Sequence, residues 1–170
     1  MAAQSDAFIG IEACWWDPND DDLMEFVVTA SNGAVSSVGK FYGSPGLLRE
    51  FAESLTGFPS SRHPETVECK LGHGWAKLVL SAFNEGSLGV PFFGVKLDVN
   101  DEQADRRHSA SFCIRSEAAE VDRFAARLLA YSERMETLVN EVGSDSEPFF
   151  FDFAFPYREL VSRRALKEES

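Results

Sequence analysis

The chain is poor in the residues that most often mark chemistry: three cysteines, three histidines and three methionines in 170 residues. Zinc needs four Cys or His ligands at hairpin and helix spacing, and Cys14, Cys69 and Cys113 lie too far apart to supply it with the scattered histidines. The cysteines are odd in number and set among strand-like residues, which predicts buried thiols in a reducing compartment rather than disulfides. No apolar run approaches the roughly 20 residues that a membrane span needs. Residues 1–6 (MAAQSD) lack the basic and apolar regions of a secretory signal, so a cytoplasmic protein is expected. Basic charge is also scarce: 16 Lys and Arg stand against 28 Asp and Glu, a formal net charge of -12. That excess repels phosphate backbones and anionic membrane surfaces, which argues against nucleic acid or lipid as partners and for a basic protein.

What is present suits one domain with its own core. A chain of this length can bury roughly 70% of its unfolded surface, enough to do without disulfides or a structural metal. Fifteen phenylalanines are the compositional oddity.

Phe8 to Trp16 (FIGIEACWW) alternates as a half-buried strand, and DPNDDD over Asp17 to Asp22 breaks it. Leu23 to Ala30 forms a second strand, Ser31-Asn32-Gly33 a tight reversal, and Ala34 to Tyr42 a third strand. Ser44 and Pro45 open a helix whose apolar stripe is Leu47, Leu48, Phe51, Ala52 and Leu55, and Gly57 and Pro59 stop it. Thr66 to Leu71 and Trp75 to Phe83 are strands around the short loop Gly72-His73-Gly74. Leu88 to Val99 and His108 to Arg115 follow, separated by a charged turn over Asn100 to Arg107. A second helix starts near Ser116, with Val121, Phe124, Ala125, Leu128 and Leu129 on one side, and ends at Met135 or Leu138.

The order βββαββββα with short connections predicts an α+β fold: a twisted antiparallel sheet of six to seven strands carrying both helices on one face. Residues 1–142 form this single domain. Residues 143–170 are a linker and a Phe-rich extension, FFFDFAF over Phe149 to Phe155, expected to pack back on the domain because an open apolar strand is an aggregation edge. The alternative for that segment is a homodimer contact.

Motifs for chemistry fail one by one. An EF-hand starting at Asp17 needs glycine sixth and glutamate twelfth, where Asp22 and Val28 stand. There is no G-x-S-x-G nucleophile turn, no phosphate-binding loop and no paired-carboxylate signal. No cofactor, metal or catalytic residue is therefore assigned. Ten of the acids and only three of the bases lie before residue 66, so the negative field is concentrated toward the front. An aromatic beside carboxylates makes a hot spot for a lysine- or arginine-rich partner, which selects Trp16, Asp17, Asp20, Asp21 and Asp22 as the partner-binding residues.

The succession of the Asp17 to Asp22 turn, LMEFVV, LLREFAESL, WAKLVLSAF, VPFFGVKLDV, SFCIRSE and VDRFAARLLAY resembles the WapI-like bacterial immunity proteins and related small domains, over about residues 8–132. The resemblance implies a cytoplasmic antitoxin that binds and blocks the toxin domain of a polymorphic toxin, often a nuclease with a basic cleft. No residue role transfers with it. Two other readings stay open: a metabolite-binding domain with phenylalanines lining the sheet, and an enzyme assembled from dispersed residues such as His73 and His108.

Overall fold

Side-chain alternation decides which face of each strand the core takes, and hairpin connections decide which strands become neighbours. A computed structural model of the protein describes residues 7–15, 23–141 and 150–156. Within them run β1 (Ala7–Trp15), β2 (Met24–Asn32), β3 (Ser36–Gly43), α1 (Pro45–Leu55), β4 (Thr66–Leu71), β5 (Ala76–Glu85), β6 (Val90–Val99), β7 (His108–Arg115), α2 (Ala118–Glu141) and β8 (Phe150–Phe155).

The α+β class holds, but the single sheet of six to seven strands does not. The strands form two antiparallel sheets of four, ordered β3-β2-β1-β8 and β4-β5-β6-β7. Hairpins account for the division: each meander pairs its own consecutive strands, whereas α1 takes the connection from β3 to β4 and leaves those two unpaired. The first meander gains its fourth strand from the chain's other end. β8 adds antiparallel to β1, from Ile9↔Phe155 to Cys14↔Phe150.

The inner faces follow the alternation. Ile9, Ile11 and Ala13 of β1, Phe26 and Val28 of β2 and Phe41 of β3 are buried against Leu78 and Leu80 of β5 and Phe93, Val95 and Leu97 of β6. The helices do not share one face of a single sheet: α2 packs against β8 of the first sheet and β6 of the second, and α1 packs against α2 and β4. The ring of Phe124 on α2 is 4.6 Å from Phe93 of β6, 5.6 Å from Phe153 and 5.4 Å from Phe155 of β8, so one side chain touches both sheets. Arg127, one turn on, donates to the Ala154 carbonyl at 3.0 Å and lies over the Phe153 and Phe155 rings. An Arg49–Glu136 ion pair at 2.9 Å joins α1 to α2.

Helix ends are set locally. Glu120 reaches back to accept from the Glu117 N–H at 3.1 Å and the Ser116 hydroxyl at 3.2 Å, the glutamate half of a capping box. Ser44 holds the cap position of α1, but its hydroxyl makes no capping bond; Pro45 at the first position has a ring already set for the helix and no N–H that needs a partner. α2 extends to Glu141, beyond the end expected from its apolar stripe. Among the described residues, no helix is long and apolar enough to cross a membrane.

Candidate functional site

On the side away from Phe124 the sheets meet along the free edge of β3. The Gly72 N–H donates to the Tyr42 carbonyl at 2.8 Å, and the His108 Nε2 lies 2.9 Å from the Val38 carbonyl. Strand alternation turns Val38, Lys40 and Tyr42 to solvent. The Tyr42 hydroxyl donates to Glu25 at 3.0 Å, and the Lys40 ammonium is 3.2 Å from the same carboxylate. Burial, then the hydrogen bond and charge of Glu25, raise the Tyr42 phenol above its ordinary range, so it stays a neutral donor.

Two loops complete the corner. In the β4–β5 loop Gly72 has φ +78°, and a Cβ there would lie 2.1 Å from the Ala76 carbonyl oxygen, which only glycine avoids. In the same loop Trp75 is 62% exposed. The β6–β7 loop is held against it by the Asn100 N–H, which donates to the Trp75 carbonyl at 2.6 Å. Asp101 accepts from the Gln103 N–H at 2.8 Å, an Asx turn, and Arg107 donates to the carbonyls of Asp101 and Glu102 at 2.7 and 3.3 Å. Arg107 is thus engaged by its own loop's backbone.

Between these parts lies a cleft of about 380 Å³ lined by Lys40, Tyr42, His73, Trp75, Asp101 and Glu102. A second hollow of about 330 Å³ shares Trp75, Asp101 and Glu102 with it. Aromatic rings beside carboxylates suit a cationic group, which gains ring-face attraction and charge pairing together.

The front residues selected from sequence, Trp16, Asp17, Asp20, Asp21 and Asp22, lie outside the described residues, and so does the question of a cation in that turn. Their flanks are placed: Trp15 pairs with Met24, and Met24 with Gly43, next to the Glu25↔Tyr42 pair. The chain therefore leaves and re-enters the first sheet at the end that holds Tyr42. His73 lines the cleft, whereas His108 has its two ring nitrogens against the Arg106 and Val38 carbonyls and is not among the lining residues. Among the described residues no three His, Cys, Asp or Glu side chains gather as a metal site.

Of the three thiols expected to be buried, Cys69 is and Cys113 is not, and the Cys14 side chain lies outside what the structure describes. Cys69 is buried and its thiol is pushed from an ordinary 9.0 up to about 12, by burial first and by the Glu50 charge second. Cys113 is exposed, because Phe112 takes the inward position beside it on β7. Sequence reasoning missed Trp75, Asp101 and Glu102 as a group. Their signal was a tryptophan following a Gly-His-Gly turn and a charged turn one hairpin later. Comparison of the chain with protein-family models, curated proteins and solved structures finds no match.

Proposed function

We propose that this is a non-enzymatic binding protein of the immunity type, which neutralises a basic toxin domain through an acidic surface, and that the Trp75 cleft belongs to that surface. The observation that carries the reading is a tryptophan held 62% exposed beside Asp101 and Glu102. Tryptophan is among the residues most enriched in binding hot spots, and here it stands in a loop whose turn requires glycine at position 72. The acidic excess supports the same polarity of partner, since opposite fields speed encounter and fix orientation. Basic side chains inserted between Trp75, Asp101 and Glu102 would be the contact.

The test is capture on the immobilised full chain from its native host, followed by affinity measurement on the captured protein. A basic protein is expected, released by raised salt. Trp75→Ala should weaken binding by about 2 kcal/mol or more, roughly thirtyfold. Capture of acidic proteins only, or an affinity unchanged by Asp101→Asn together with Glu102→Gln and by Asp20, Asp21 and Asp22 all changed to Asn, would sink the proposal. The cleft volume also favours a second reading, a small ligand, since pockets of roughly 300–1,000 Å³ hold such molecules. A metabolite that raises the melting temperature of the wild type but not of Trp75→Ala would establish it.

A further inference from the structure

The backbone at the floor of this cleft has an unused hydrogen-bonding position, and the register of the β2–β3 hairpin locates it. The Asn32 N–H donates to the Val35 carbonyl at 3.1 Å, so Asn32 and Val35 form a hydrogen-bonded pair. Bonded and non-bonded pairs alternate in an antiparallel ladder. Ala30↔Ser37, Val28↔Gly39 and Phe26↔Phe41 are therefore bonded, and Thr29↔Val38, Val27↔Lys40 and Glu25↔Tyr42 are not. The N–H and C=O groups of Val38, Lys40 and Tyr42 consequently face the free edge of β3.

The second sheet reaches two of these three positions: His108 meets the Val38 carbonyl and the Gly72 N–H meets the Tyr42 carbonyl. Lys40 lies between them. Its backbone N–H and C=O have no partner among the described residues, and Lys40 lines the cleft. An unpaired edge position bounded on both sides is a short template for strand addition.

We propose that Lys40 is where a short extended segment of the partner protein docks, exchanging two backbone hydrogen bonds with it while a basic side chain of that segment meets Asp101, Glu102 and Trp75. This deepens the binding function proposed above and rests on it. The length is limited by the two closures at Val38 and Tyr42, which at about 3.3 Å per residue are roughly 13 Å apart. The docked element is thus two or three residues at the tip of a loop, not a long strand. Its charge follows from the cleft: Lys40 is paired with Glu25, and among the described residues that line the cleft and its neighbouring hollow Asp101 and Glu102 outnumber the one other cation, Arg107, so the site repels an acidic segment and attracts a basic one.

The probe is the capped tripeptide acetyl-Gly-Arg-Gly-amide, titrated into the isotope-labelled full chain and followed by NMR. The Lys40 amide and the Trp75 indole N–H resonances are expected to move together. Methylating the peptide's amides one at a time should weaken binding about tenfold at the position opposite Lys40, the loss of one hydrogen bond. Lys40→Pro, which removes the edge N–H at a place where proline is tolerated, should do the same, and against that variant methylation at the position opposite residue 40 should cost nothing further. Should Lys40→Pro not fold, the methylated peptides decide alone. If Trp75 responds but the Lys40 amide does not, and no methylated peptide binds more weakly, strand addition is overturned and the charged cleft survives. If citrulline binds as well as arginine while the methylation effect persists, the charge reading falls and strand addition stands. Silence at both resonances overturns both.

Discussion

The two places where the sheets approach each other use aromatic side chains in opposite ways. On one side α2 enters the gap, and Phe93, Phe124 and Phe153 close on one another with none more than 5% exposed. On the other side the bonds at Gly72 and His108 tie the second sheet to the edge of β3, and Tyr42 and Trp75 stand 40% and 62% exposed around the opening. The cleft that remains there is lined by Lys40 and Tyr42 of β3 and by His73, Trp75, Asp101 and Glu102 of the two loops. The filled side buries its rings, and the open side leaves its aromatic residues exposed.

Substitutions can sharpen or break that contrast. The largest effect is expected from Phe124→Ala, which empties the filled side: about 3–5 kcal/mol of stability lost in urea unfolding. A loss under 1 kcal/mol would show that the helix does not bridge the sheets as described. Gly72→Ala comes next, because its Cβ collides with the Ala76 carbonyl and its backbone must hold φ +78°; about 2–4 kcal/mol should go, measured the same way.

Cys69 and Cys113 differ in burial, and the buried one reports it by titration. Cys69 has a folded pKa above its unfolded one, so its contribution is complete below about pH 9 and is lost as pH rises toward about 12. Wild type should therefore lose stability with alkalinity more steeply than Cys69→Ala, and a thiol reagent should modify Cys113 while Cys69 stays protected in the folded protein. Parallel slopes for the two proteins would contradict the burial. The smallest effect is at the opening: Trp75→Ala should change stability by no more than about 0.5 kcal/mol, as expected of an exposed side chain outside the core. A larger loss would make Trp75 structural and remove the main support for a binding cleft.

Much of the architecture was legible in local pattern. The alternation in FIGIEAC and VPFFGVKLDV gave the inward faces, Asn32-Gly33 gave the tight reversal, and the stripe from Val121 to Leu128 gave the buried side of α2. Partition into two sheets was not legible, because alternation says which side of a strand is apolar but not which strand lies beside it. The cleft was less legible still. Trp75 read as the first residue of a strand, and Asp101 and Glu102 as a solvated turn; nothing local tells that residues 40, 75 and 101 share one opening.

By itself the sequence determined the strands and helices, their inner faces and the sign of the surface charge, since each depends on spacing or composition within a few residues. Tertiary structure alone decided that β8 joins β1, that α2 fills one gap between the sheets, and that Trp75 lines the other with Lys40, Asp101 and Glu102. Those are contacts between residues far apart in the chain, chosen by which surfaces can be buried at once, and burial is a property of the whole fold.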